Sequence, residues 1–177
     1  GLVHRIDKDT SGLLVVAKTP DAKTSLGMQF FNKTTKRHYN ALVWGSLKDD
    51  TGTIRSQIAR NPHDRLQMAV FTDPAIGKHA VTHYRVEGVH GARALIRLRL
   101  ETGRTHQIRV HLAHIGCPIA GDYLYGAQLP ELHGRFALHS AYLHCVQPVT
   151  GESIEIAEPM PDALYALLTG IDARDAA

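Results

Sequence analysis

The sequence predicts an α+β domain: a mixed, mostly antiparallel β-sheet flanked by a few helices. Three observations carry this. Between Ala92 and Leu100, apolar and basic residues alternate strictly, with Ala92, Ala94, Ile96, Leu98 and Leu100 on one side and Arg93, Leu95, Arg97 and Arg99 on the other. That is the period of a half-buried strand in an antiparallel sheet. Strand-like segments far outnumber helical ones, and they do not alternate with helices as βαβ units would. A chain of 177 residues, 44% of them hydrophobic, has material for one substantial core, so a single domain over residues 1–177 is expected.

The elements follow in order. Gly12–Ala17 is a short Val/Leu run, read as a buried strand. Thr19-Pro20-Asp21 starts a helix: a hydroxyl cap, a proline whose missing N–H costs nothing, and an acid in the first turn. Ala22, Leu26 and Phe30 supply its apolar stripe. Arg37–Trp44 reads as a strand with Tyr39, Ala41 and Val43 on one face, Thr51-Gly52-Thr53 as a turn, and Ile54–Ile58 as a strand. Asn61–Arg65 is a polar loop, Gln67–Phe71 a short strand, and His79–Val86 another alternating strand. Thr105 is expected to cap a helix running to His114, with Ile108, Leu112 and Ile115 as its stripe and Gly116 and Pro118 ending it. Phe136–Cys145 and Ser153–Ala157 read as strands joined around Pro148–Gly151, and Asp162 caps a last helix bearing Leu164, Leu167 and Leu168.

Charge is unevenly spread. Residues 1–60 carry 10 Lys/Arg against 5 Asp/Glu, residues 61–145 carry 9 against 6, and residues 146–177 carry 1 against 6, which together give the net +3. A basic body attracts polyanions such as RNA, although an ordinary solvated face has the same composition. No apolar run is long enough to span a bilayer. Two cysteines, Cys117 and Cys145, form no disulfide framework and suit a reducing cytoplasm.

Two clusters have residues capable of chemistry. The segment His4-Arg5-Ile6-Asp7-Lys8-Asp9-Thr10-Ser11-Gly12 is the densest polar stretch and precedes a predicted strand, so it forms a loop against a rigid scaffold. A tight turn without chemistry is the plainer reading of its composition, and the local pattern does not separate Asp7 from Asp9. The segment Glu101–His111 places Arg109 one residue from the apolar stripe, where its planar fork can reach a buried carboxylate; a surface arginine with a buried stem is the plainer reading. Among the 12 histidines, His111 and His114 share a helix face, whereas His106 points away from His111 by roughly 140°. No metal-ligand spacing and no glycine-rich phosphate loop is present.

HRIDKDTSGLLVVAK resembles the HRLDxxTSG signature of the RluA/RluD-type RNA pseudouridine synthases, with Ile6 for the usual leucine. ETGRTHQIRVHLAHIGCPIAGDYLYG resembles their second signature, Lys36-Arg37-His38-Tyr39 their tyrosine motif, and Ala137-Leu138-His139 their late ALH segment. The matches occur in family order. The resemblance implies the pseudouridine synthase fold and isomerisation of uridine to pseudouridine in structured RNA, ribosomal or transfer RNA, without metal or organic cofactor. Asp7 would be the essential aspartate acting at the ribose, and Arg109 its charge partner. Tyr39 would stack near the base, its phenol able to accept the C5 proton. Arg5 would fill the space left by the flipped nucleotide, and Lys8, Arg37, Arg93, Arg97, Arg99 and Arg104 are candidates for RNA contacts. The family's catalytic domain carries further strands before its first signature, so the resemblance also implies a catalytic domain incomplete on its N-terminal side. Two other readings remain: a non-catalytic RNA-binding fragment of the same family, and a histidine-rich metallohydrolase.

Overall fold

The strand segment with the strongest side-chain alternation, Arg93–Leu100, lies near the middle of the sheet, where both of its backbone edges are paired. In the structure, a computed structural model that describes residues 1–126 and 129–169, eight strands form one sheet. They are β1 (Ser11–Gly12), β2 (Lys36–Trp44), β3 (Thr51–Arg60), β4 (Met68–Phe71), β5 (Lys78–His90), β6 (Arg93–Leu100), β7 (Leu138–Val146) and β8 (Ser153–Ala157). The spatial order is β1-β7-β2-β6-β5-β3-β4, with β8 also paired to β7. Every pairing is antiparallel except β1 with β7. The expected mixed, mostly antiparallel α+β architecture is therefore present.

Three helices accompany the sheet among the described residues: α1 (Pro20–Phe31), α2 (Gln107–His114) and α3 (Asp162–Thr169). The register fixes which side chains share a face. Tyr39 lies opposite Leu98, Ala41 opposite Ile96 and Val43 opposite Ala94, all buried. On the reverse face His38 lies opposite Arg99, Asn40 opposite Arg97 and Trp44 opposite Arg93. The core sits on the Tyr39 face, where Ile108 and Leu112 of α2 join Ile119, Phe136 and Leu138. Leu26 of α1 packs with Leu143 and Cys145 beside it. The reverse face carries α3 at one end, where Arg93 donates to the Leu167 carbonyl.

Several local expectations need correction. The Gly12–Ala17 run is not a buried strand. Only Ser11–Gly12 pairs, a single bridge joins Leu2 to Val16, and Leu14 and Val16 face outward. Thr51-Gly52-Thr53 is strand, not turn. A Cβ on Gly52 would lie 2.5 Å from the Tyr84 ring, so the glycine makes room for a cross-strand aromatic. Helix α2 begins at Gln107 after His106 in the left-handed conformation (φ 53°), so Thr105 is not its cap. Ile115 is half-exposed at the C-cap and leaves the stripe. Strand β5 runs further than expected, to His90, through an irregularity between Val86 and Gly88.

Candidate active site

The His4–Gly12 segment folds as the turn its composition suggests, and the sheet determines where that turn points. Thr10 N–H donates to the Asp7 carbonyl, and Asp9 takes a left-handed conformation (φ 73°). Three contacts tie the loop down. Ser11 Oγ lies 2.9 Å from His139 Nδ1, Leu13 N–H donates to the Ser140 carbonyl, and Val15 N–H donates to His4 Nε2 at 3.0 Å. Gly12 (φ 97°) crosses so close to β7 that a Cβ would sit 2.2 Å from the Ser140 oxygen, so only glycine fits. Asp9 is not among the cavity residues. Asp7 is, together with Arg5, Thr10, Tyr39, Arg104 and Gln107, around a cavity of about 490 Å³.

Arg109, on α2, is only 4% exposed. Its Nε and Nη2 donate to the two carboxylate oxygens of Asp122, at 2.7 and 2.8 Å, and Asp122 is fully buried. Its Nη1 faces Asp7 Oδ2 at 3.8 Å. The guanidinium lies between the Phe136 and Tyr125 rings, at 4.5 and 5.1 Å from their centroids. Burial alone would lower its pKa, but the Asp122 hydrogen bonds and the charges of Asp122 and Asp7 outweigh it and hold the pKa above the ordinary value. Arg109 thus stays charged, its fork committed to Asp122 and its remaining nitrogen turned toward Asp7.

Tyr39 is 5% exposed, and burial raises its phenol pKa, with Arg37 and the Ser140 hydroxyl working against the rise. The phenol therefore stays protonated near neutral pH. Gln107 secures the start of α2. Its Nε2 donates to the Val81 carbonyl and Thr82 Oγ1, while its Oε1 accepts from Thr102 Oγ1 and Arg104 N–H. Arg104 Nε donates to the His79 carbonyl at the cavity wall.

The remaining expected residues separate into two groups. Arg5, Arg37 and Arg104 line the cavity, and Lys8 is exposed on the Asp7 loop. Arg93, Arg97 and Arg99 do not line it. Strand alternation puts them on the reverse face, where Arg97 sits 3.4 Å from Glu87 and Arg93 lies over the Trp44 ring at 4.5 Å. The histidines of the α2 region also separate. His111 is buried between Ser56 and Thr82, His106 Nδ1 lies 3.0 Å from the Tyr125 hydroxyl, and His114 is exposed. Among the described residues no three His, Cys, Asp or Glu side chains converge as a metal site requires.

Sequence reasoning missed Asp122 and Tyr125. Both lie in the quoted GDYLYG run, but nothing local marks a lone aspartate 13 residues after an arginine as its partner. His106, whose pKa is lowered by burial with Asp7 opposing and Arg109 reinforcing, was noticed only as a possible metal ligand.

Fold and cavity together define a one-sheet α+β protein with a basic-rimmed cleft lined by Asp7, which the buried Arg109 backs from outside the lining. The sequence signature of the RNA pseudouridylate synthase family matches residues 1–114, and the chain belongs to that family. It is 47% identical, over 98% of its length and 54% of the relative's, to an uncharacterized RNA pseudouridine synthase of Chloroflexus aurantiacus. It is 46% identical, over 97% of its length and 54% of the relative's, to the ribosomal large subunit pseudouridine synthase D of Xanthomonas campestris. The solved structure of human RNA pseudouridylate synthase domain containing 1 superposes with a TM-score of 0.75 at 30% identity, covering 89% of this chain and 67% of that one. The chain spans about half the length of the curated relatives it matches.

Proposed function

We propose that this chain carries the active site of an RNA pseudouridine synthase, converting uridine to pseudouridine in structured RNA, ribosomal RNA foremost and transfer RNA as the lesser candidate. The relatives named for the large ribosomal subunit support the first choice. The observation that carries the reading is Asp7: a carboxylate on an immobilised turn, within a cavity, facing a buried arginine that cannot turn away because Asp122 holds it.

In this reading the uridine leaves its stack and enters the cavity, since the Asp7 carboxylate cannot reach into a duplex. Arg109 holds that carboxylate aimed at the ribose while the uracil detaches, turns and rejoins through C5. Tyr39 packs against the base. Its raised pKa means that the phenol accepts the C5 proton only as it passes on its own, and the neighbouring Ser140 hydroxyl is placed to take part. Arg5 fills the place of the flipped nucleotide, and Arg37, Arg104 and Lys8 meet phosphates, contacts that position RNA without reading its sequence. A purely RNA-binding role would leave the buried Asp122–Arg109–Asp7 arrangement without a task.

The test uses the full-length protein and RNA tritiated at uridine C5. Pseudouridine formation releases the label to water, and binding does not. Release by wild type and its loss in Asp7→Ala is the expected result. Absence of release from any cellular RNA, or equal release by Asp7→Ala, would sink the assignment.

A further inference from the structure

The mouth of the Asp7 cavity carries an aromatic side chain that the reaction does not use. Of the four phenylalanines, Phe136 is buried and Phe30 and Phe71 are half-buried, but Phe31 is 78% exposed. It lines the cavity beside Phe30, Lys33 and Arg37. Phe30 is clamped, stacked on the His4 ring (centroids 4.5 Å apart, planes 18° apart) with the Arg37 guanidinium 5.3 Å from its own centroid. The clamp fixes the last turn of α1. Phe31, one residue on and rotated by roughly 100°, is thereby turned away from the clamp toward solvent. The helix ends there: Asn32 N–H donates to the Met28 carbonyl, and Lys33 adopts a left-handed conformation (φ 59°) beside Phe31.

Single exposed apolar side chains are common and need no explanation by themselves. This one has charged company. The cavity residues include four fixed cations, Arg5, Lys33, Arg37 and Arg104, against two carboxylates, Asp7 and Glu101, and Asp7 already faces Arg109. Four buried side-chain polar atoms among the described residues have no hydrogen-bond partner. Three of them, His4 Nδ1, Thr10 Oγ1 and Arg37 Nε, belong to cavity residues. An exposed apolar platform beside excess positive charge suits a ligand with a π-face and an anionic link.

We infer that this rim is a second nucleotide subsite, in which Phe31 stacks an unpaired base adjacent to the uridine in the cavity while Lys33 and Arg37 hold the connecting phosphate. The inference rests on the RNA reading above and deepens it. Stacking accepts every base, so the subsite holds the strand open beside the target without selecting its sequence.

The test is binding by full-length Asp7→Asn protein, which separates affinity from turnover. The probe is a fluorescein-labelled single-stranded oligouridylate of about 12 nucleotides, within the usual footprint of single-strand binding surfaces. Phe31→Ala is expected to weaken binding between about 5- and 150-fold, the range for loss of one stacked base. Phe31→Trp should preserve affinity, with its emission quenched on binding, while Phe31→Leu should not. Equal binding by Phe31→Ala, absence of binding by the parent, or full rescue by Phe31→Leu overturns the subsite; the last outcome would mark an apolar protein contact instead. If affinity depends on Phe31 but no RNA releases tritium, the subsite stands and the pseudouridine reading falls. If tritium is released and Phe31 is indifferent, only the subsite falls.

Discussion

The two faces of the sheet both carry arginines, and they use them differently. On the reverse face Arg97 and Arg85 both approach Glu87, at 3.4 and 3.9 Å, while Arg93 covers Trp44 and donates to the end of α3. Those are exposed or half-exposed contacts of the kind that contribute little individually. On the cavity face Arg109 is buried, doubly hydrogen-bonded and enclosed by two rings, and Arg37 keeps an Nε without a partner. Basic charge alone therefore does not identify a site. Burial and the partners left over do, because a charge removed from water must be compensated by particular groups.

This contrast can be tested in descending order of effect. Asp7→Ala should lower tritium release by at least about 10²-fold, as expected for loss of a group acting at the reacting atoms. Arg97→Ala should leave release near wild type. Asp122→Ala strands the buried Arg109 charge and should cost about 3–5 kcal/mol of stability in urea unfolding. Arg97→Ala should cost less than about 1 kcal/mol in the same measurement. A small loss in Asp122→Ala would mean that Asp7 alone suffices to hold Arg109.

The cavity face also titrates. Burial pushes His111 down to about 4 from its ordinary 6.5, and His4 is likewise lowered to about 4. The unfolded chain takes up these protons near pH 6.5, whereas the folded chain resists until about 4, so stability should fall as pH drops through that window and stay level above it. His111, fully buried, contributes at most about 3 kcal/mol of this loss. His111→Gln should flatten the slope in part, leaving the share due to His4; an unchanged slope in unfolding experiments from pH 7 to 4 would refute the assignment. The smallest effect expected is in RNA affinity. Arg37→Ala should reduce the salt dependence of binding by about one phosphate contact, and Arg97→Ala should not alter it. Equal losses would show that the reverse face binds RNA too, restoring the role first expected for Arg93, Arg97 and Arg99.

Much of the fold was legible because it is periodic. The β6 alternation, the Thr19-Pro20-Asp21 helix start and the β7–β8 pair were all readable from side-chain spacing alone. The errors fell where a tertiary contact overrides a local signal. Gly52 reads as a turn until Tyr84 is seen across the ladder, and Thr105 reads as a cap until Gln107 is seen to anchor the helix start by its side chain. The Gly12–Ala17 run reads as buried until its alternate residues are seen facing outward along a barely paired edge.

The sequence by itself determined the family, through ordered motifs whose residues must recur together, and determined that Asp7 lies on a tight turn and that Arg109 lies beside an apolar stripe. Only the tertiary structure put Asp7 at the cavity and left Asp9 outside it, brought Asp122 onto the Arg109 fork, and removed Arg93, Arg97 and Arg99 to the other face. The physical reason is range. Turn chemistry and strand alternation act over a few residues and are written in the local order of side chains. Burying a charge requires a partner from wherever the chain returns, and that distance has no local signature.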